Sequence, residues 1–297
     1  MPPSVTRRIF VLALATLALH GCAGAFRRTH AMTPGPGGAI AAAPLGTRRV
    51  AILAGSDQAK GVFVVDLDSG RIVQSFGVTR EAVAISAAGP DGPVLLGIAG
   101  TTSDGHPAGS VESWTLQGQK QQVVPMSARA LALTQVAGGQ LFVLVGDDRS
   151  RVAVPLTVGN MLVGRAIPLD AATDALALCQ MGVDGLLVSS GPGTVVSARS
   201  LEGGQTVRGT VVADAPTCIS GQARIYAISK TFLSRSAVVF GLPDMVQVAS
   251  IPLSNDARAL YAADPRGLLA LNATQQVSNI QYVAVDGIAA TPSTAPK

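Results

Sequence analysis

Glu81-Ala-Val-Ala-Ile-Ser86, followed by Gly89-Pro-Asp-Gly92 and then Val94-Leu-Leu-Gly-Ile-Ala-Gly100, is the stretch on which the fold is decided. It holds two short apolar runs separated by a Gly/Pro turn. Its apolar residues alternate or run on rather than recurring at i, i+3, i+4, a pattern that fits strands and not a helix. The unit returns along the chain. Its second run reappears as Val50-Ala-Ile-Leu-Ala-Gly55, Leu141-Phe-Val-Leu-Val-Gly146, Leu186-Leu-Val-Ser-Ser-Gly191, Ile225-Tyr-Ala-Ile-Ser229 and Leu268-Leu-Ala-Leu-Asn272, with starts 44, 47, 45, 39 and 43 residues apart. Its first run reappears as Arg129-Ala-Leu-Ala-Leu-Thr134, Asp174-Ala-Leu-Ala-Leu-Cys179 and Arg258-Ala-Leu-Tyr-Ala262. Turns lie between the two, at Gly138-Gly139, Val183-Asp-Gly185 and Asp264-Pro-Arg-Gly267.

Two further strands follow each pair, as in Gly61-Val-Phe-Val-Val-Asp-Leu-Asp-Ser-Gly70 and Arg71-Ile-Val-Gln-Ser-Phe76. A period near 44 with about four strands predicts an all-β β-propeller, because a lone blade cannot bury both faces and must stack around an axis. These residues resemble YVTN-type and WD-repeat-like propellers: Gly61 to Gly70 is similar to their third strand and its turn, Gly89 to Gly92 to the turn after the innermost strand. Resemblance of this kind assigns no function. The repeats predict six four-stranded blades, with five and seven as the alternatives. Ala39-Ile-Ala-Ala-Ala43 supplies the innermost strand of the first blade, which leaves the sixth short of an outer strand; residues 23–30 are one source for it.

The N-terminus reads as an export signal. Arg7 and Arg8 precede an apolar run from Ile9 to Leu19, and Leu19-His20-Gly21-Cys22 follows. The run has about 11 residues, against roughly 20 needed to span a bilayer. Leu19, Gly21 and Cys22 resemble the lipobox of bacterial lipoproteins, while His20 departs from the usual small residue there. The resemblance implies cleavage before Cys22, a lipid (palmitate) anchor on Cys22, and a place in the cell envelope facing the periplasm, the outer membrane being favoured by Ala23. Thr6-Arg7-Arg8-Ile9-Phe10-Val11 also resembles a twin-arginine signal, with the general secretory route equally open. The expected layout is a signal peptide over 1–21, a lipidated N-terminus and tether over 22–37, the propeller over 38–287 and a disordered tail over 288–297.

Charge narrows the function. The chain carries 22 basic and 18 acidic residues. Loss of Arg7 and Arg8 with the signal leaves 20 basic against 18 acidic, so a nucleic-acid partner is not expected. Charged residues make up 13% against 48% hydrophobic, which predicts deep packing.

Once Cys22 is acylated, Cys179 and Cys218 are the remaining cysteines. Each lies seven residues before its repeat's next strand, so they occupy matching places on neighbouring inner strands. In an oxidising compartment a disulfide between them is one expectation and two buried thiols the other. Glu81, Arg129, Asp174 and Arg258 share the position just before the inner strand, and Asp214 joins them. There they read either as a ring of mutual ion pairs or as a channel-mouth site for a polar ligand or protein partner. Asp57, Lys60, Asp104, His106, Asp147-Asp148-Arg149, Lys230 and Arg235 rim the same face.

No catalytic set, metal or cofactor is expected. Asp66-Leu-Asp-Ser-Gly70 lacks the downstream glutamate of a calcium loop. His106 is the one histidine of the domain, and Trp114 is alone. The expected function is therefore a membrane-anchored binding or scaffolding propeller. The alternative is a propeller enzyme or cofactor carrier of lyase, lactonase or quinoprotein type, for which Glu81, Asp174 and Asp214 are the best-placed carboxylates.

Overall fold

The computed structural model describes residues 28–32, 38–147, 149–181, 184–219, 221–273 and 278–285. Those residues form strands and turns, with no helix among them. The chain first contributes β1 (Arg28–Met32), whose place in the ring comes last. Blade 1 is β2 (Ala39–Leu45), β3 (Arg49–Gly55), β4 (Lys60–Asp66) and β5 (Ile72–Val78); blade 2 is β6 (Ala82–Ala87), β7 (Val94–Thr101), β8 (Pro107–Trp114) and β9 (Lys120–Met126). Blade 3 is β10 (Arg129–Leu133), β11 (Gln140–Gly146), β12 (Arg151–Thr157) and an outer strand in two pieces, β13 (Leu162–Val163) and β14 (Ile167–Leu169). Blade 4 is β15 (Ala175–Met181), β16 (Asp184–Ser190), β17 (Val195–Ser200) and β18 (Thr206–Val212); blade 5 is β19 (Asp214–Cys218), β20 (Arg224–Lys230), β21 (Arg235–Gly241) and β22 (Val246–Leu253). Blade 6 is β23 (Ala257–Asp264), β24 (Gly267–Ala273), β25 (Ser278–Ala284) and, on its outside, β1. The chain is a six-bladed β-propeller, with antiparallel strands a to d running outward in each blade.

β1 falls within the stretch read above as tether, and it overlaps residues 23–30, one source considered there for the missing outer strand. It pairs antiparallel with β25, from Arg28 opposite Tyr282 to Met32 opposite Ser278. A blade without it would expose the hydrogen-bonding edge of β25, and the chain's own start covers that edge.

Period-two alternation explains why the b strands read as unbroken apolar runs. In β3, Val50, Ile52 and Ala54 pack against blade 6, while Ala51 and Leu53 pack against blade 2. Six apolar clusters result, one at each blade junction; the junction of blades 3 and 4 is the smallest, built on Phe142, Leu144, Ala153, Leu176 and Leu187. The split outer strand of blade 3 has a local cause. β12 pairs with its outer neighbours at Arg151–Ala153 and at Leu156–Thr157, skipping Val154 and Pro155. Pro155 has no N–H to give an outer partner, so the ladder breaks there.

A second repeated device works at the rim of three junctions. Lys60 Nζ donates to the Ala82 carbonyl at 2.8 Å and Arg151 Nε to the Thr173 carbonyl at 3.3 Å, while Arg235 donates to the Ala257 carbonyl. Each cation opens a c strand and reaches the start of the next blade's inner strand, 22 residues on. The junctions so tied are 1/2, 3/4 and 5/6, which gives the ring an internal three-fold rhythm.

Candidate functional site

Strand direction gives the disc two different faces. Inner strands begin on the loop face, together with the b–c loops and the connections between blades. They end on the turn face, where the a–b turns lie.

The five residues read as a channel-mouth ring do sit where inner strands begin on the loop face, but none pairs with another of the five in an ion pair. Glu81 is held by its own connection: Arg80 Nε donates to Oε1 at 2.9 Å and the Thr79 hydroxyl donates to Oε2. The Thr79 bond, then the Arg80 bond, lower its pKa to about 2. Arg129 is half-buried at the head of β10, and Arg258 is exposed at the point where the pairing of β23 with β24 slips. Asp214 accepts Lys230 Nζ on Oδ2 at 2.6 Å, and its buried Oδ1 has no partner. Asp174 stands near it on the neighbouring blade. Desolvation at the mouth, and after it the negative charge of Asp214, raise the Asp174 pKa. The arrangement is therefore an acidic pair with one lysine spanning blades 4 and 5, while Glu81 stands apart on blade 2. Among the described residues, no three His, Cys, Asp or Glu side chains converge on a metal-sized space.

The opposite end of the channel holds a cup of about 410 Å³, opening on the turn face. Ala43, Ser86, Gln180, Tyr261 and Asp264 are among its lining residues, with small side chains between them. Gln135 crosses it. This side chain leaves blade 3 just after β10 and reaches blade 6, on the far side of the ring. Its Nε2 donates to the Ala262 carbonyl at 3.1 Å, and Oε1 accepts the Ala262 N–H at 3.2 Å and the Thr217 hydroxyl at 3.4 Å. The amide thus pairs with Ala262 as a neighbouring strand would. The repeat pattern gave no sign of it, because Gln135 lies in the irregular turn after the inner strand.

Gln135→Ala is expected to leave both main-chain groups of Ala262 without this partner. Net hydrogen bonds contribute about 0.5–1.5 kcal/mol each, so a loss of about 2 kcal/mol is expected in denaturant unfolding, with the denaturant slope unchanged. A loss below about 0.5 kcal/mol would show that the bridge is replaced by water without consequence.

Cys179 of β15 and Cys218 of β19 are joined across blades 4 and 5, with Cα atoms 5.3 Å apart, inside the span a disulfide bridges. Both are buried in the apolar cluster of that junction. Inner strands of neighbouring blades come close enough here because both cysteines occupy the same step of their repeats, as the sequence spacing implies. Cys22, the expected anchor, and Asp148 of the blade 3 loop lie outside the described residues.

Sequence reading also passed over the tip of the blade 5 b–c loop. Phe232 is 100% exposed and Leu233 79%. No strand pattern marks them, since they fall between β20 and β21 where turn residues were expected.

Comparison with solved structures places the fold in wide company. The structure of U3-55K superposes with a TM-score of 0.57 at 10% identity, covering 85% of this chain and 98% of that one. The β-propeller domain of Cps50 (Swd1) from Myceliophteria thermophila gives 0.55 at 11% identity, over 85% and 99%. A chain of the Kuenenia stuttgartiensis hydrazine synthase gives 0.54 at 11%, over 86% and 97%. At such identities the likeness shows the fold alone, and a chain of an enzyme is among the proteins that share it. No protein-family model matches the sequence, and no curated protein matches it.

Proposed function

We propose that this chain is an exported lipoprotein, anchored through Cys22, whose propeller binds a protein partner on its loop face. The observation that carries the binding reading is where chemical variety lies. Gln135 bridges the channel, and the cup around it is mostly small and neutral. The b–c loop tips differ from blade to blade on an otherwise repeated scaffold: Asp57 on blade 1, Asp104 on blade 2, Asp147 on blade 3, Pro192-Gly193 on blade 4 and Phe232-Leu233 on blade 5. Varied loops on a rigid frame are the usual site of recognition. A complex supplies one of the structural neighbours, a chain of a mitotic checkpoint complex (TM-score 0.55, 13% identity).

The anchor is supported by the lipobox-like Leu19-His20-Gly21-Cys22 and by the joined cysteines, which suit an oxidising compartment. It also sets an orientation. β1 runs from the turn face at Arg28 to the loop face at Met32, by its register on β25. Cys22 precedes Arg28 by only six residues, a reach of at most about 20 Å. The anchor therefore holds the turn face towards the membrane and presents the loop face to the periplasm.

Labelling cells with an alkyne palmitate analogue tests the anchor. The wild-type chain is expected to take up label and sediment with membranes, and Cys22→Ala to do neither. An unlabelled wild-type chain in the soluble fraction refutes the reading.

A further inference from the structure

Each inner strand ends its sheet on the channel side. In an antiparallel pair, successive residues turn their main-chain N–H and C=O alternately towards the partner strand and away from it. On blade 2, Ala88 N–H donates to the Pro93 carbonyl at 3.0 Å, towards the β7 side. Ala87, one residue earlier and opposite Val94, therefore turns both its main-chain groups to the channel. The repeat shows how this step of the edge is treated elsewhere. On blade 6 its counterpart is Ala262, opposite Leu268, and the Gln135 carboxamide takes both Ala262 groups. On blade 1 it is Pro44, opposite Val50, which has no N–H to offer. Among the described residues, nothing takes the N–H or the C=O of Ala87.

Ala87 lines the turn-face cup of about 410 Å³, a volume within the range of small-molecule sites. Two more uncommitted groups line it, on alternate blades. The Gln180 carboxamide of blade 4 lies against Gly138 and has no hydrogen-bond partner among the described residues. On blade 6 the Tyr261 hydroxyl accepts the Ala42 N–H at 3.0 Å, which leaves its own proton to give. Burial pushes that hydroxyl up to about 12, so the proton stays on it. Asp264 is the one charged residue among the described lining. Its oxygens are already met by the Arg266 N–H at 2.7 Å and the Tyr282 hydroxyl at 3.0 Å.

We propose that the cup binds a small uncharged molecule bearing carboxamide groups, one of which pairs with the N–H and C=O of Ala87 as Gln135 pairs with Ala262. A carboxamide carries a donor and an acceptor side by side, the complement of an open strand edge. The fold itself uses that group at the same step of the repeat. Charge excludes the other small ligands. An anion finds no cation among the described lining residues, and an ammonium group finds a single carboxylate already bonded to neutral donors. Gln180 and Tyr261 then stand ready for a second carboxamide of the same molecule. The site lies on the turn face, so it goes beyond the loop-face reading and does not rest on it.

The test is a saturation-transfer NMR titration of the full chain, held in detergent, with three probes built on one scaffold. N-acetylglycine N-methylamide is uncharged, N-acetylglycine is an anion and glycine N-methylamide a cation. The expected result is saturable binding of the uncharged probe, roughly five- to tenfold tighter than either charged one, as for hydrogen bonds lost at one end. Ala87→Pro removes an N–H that the ladder does not use, and Pro44 shows that the fold accepts proline at this step. It should weaken the uncharged probe by roughly the same factor. Gln180→Leu, at an exposed position, should weaken it severalfold while keeping the thermal midpoint within about 2 °C of the wild type. Should Ala87→Pro lower the midpoint by more than that, Gln180→Leu alone decides. No saturable binding of the uncharged probe, equal or tighter binding of a charged one, or binding indifferent to the deciding variant overturns the proposal.

Discussion

Removing residues 1–32 is expected to lower the thermal midpoint by about 10 °C, whereas removing residues 1–26 should leave it within about 2 °C. The longer deletion takes away β1, which pairs with β25 at five successive registers. At a net 0.5–1.5 kcal/mol for each backbone hydrogen bond along those registers, the loss comes to about 3–4 kcal/mol. For a domain of this size each kcal/mol shifts the midpoint by roughly 2–4 °C. The exposed edge of β25 has a second consequence: the shortened chain should associate at concentrations where the longer one is monomeric, because an open edge is a template for pairing. Calorimetry and light scattering on the two truncated chains check both points. Equal midpoints would show that blade 6 stands on three strands and that β1 is an ornament of the ring.

That strand also shows how far the sequence could be read. Blade number, strand order and the inward and outward lettering all followed from one repeated pattern, because every b strand must serve two apolar junctions and so repeats an unmistakable apolar run. β1 carries no such run. Arg28-Thr-His-Ala-Met32 is largely polar, stands before the first repeat while its partner closes the last, and finds it only by ring closure. Its strand character comes from the partner, not from its own side chains: the blade count asked for an outer strand and offered residues 23–30 as one source, which overlaps β1 at Arg28 to His30, whereas pattern alone left the stretch in the tether. The same reason hid the functional candidates. Gln135 bonds to a strand 127 residues away, and nothing local announces it. Lys60 and Arg235 were visible as loop-face cations and Arg151 was not singled out; the partners of all three are backbone carbonyls, which a sequence does not display. Glu81, Asp174 and Asp214 were placed at the correct end of the channel; the ring of mutual ion pairs failed because each nearer neighbour, Arg80 or Lys230, outcompetes a charge on another blade. Position in the repeat tells where a side chain starts, and the loops decide what it meets.

The cysteines carry the remaining large effect. Cys179→Ala with Cys218→Ala is expected to destabilise the domain by about 3–4 kcal/mol, the chain-entropy value for a loop of this length. The separation is 39 residues, and the Cα spacing of 5.3 Å asks for no backbone movement. Alanine is the apt replacement, because serine would bury a hydroxyl in the apolar junction where Val188, Ala227 and Phe240 pack. Reductant should lower the wild-type midpoint by nearly the same amount and leave the double variant unmoved; under denaturing, non-reducing conditions the wild type should show neither thiol. Two titratable thiols would refute the bond. The size of the effect also bears on the proposed export. A twin-arginine substrate folds in a reducing compartment, before the bond forms. With total stability for a domain commonly 5–15 kcal/mol, a contribution of 3–4 leaves a reduced chain that still folds only if the total lies well above the lower limit. If the reduced protein is folded at growth temperature, the twin-arginine route is open to it. Should it unfold without the bond, the export proposed above would have to carry the chain unfolded, with the ring closing and Cys179 and Cys218 joining only afterwards.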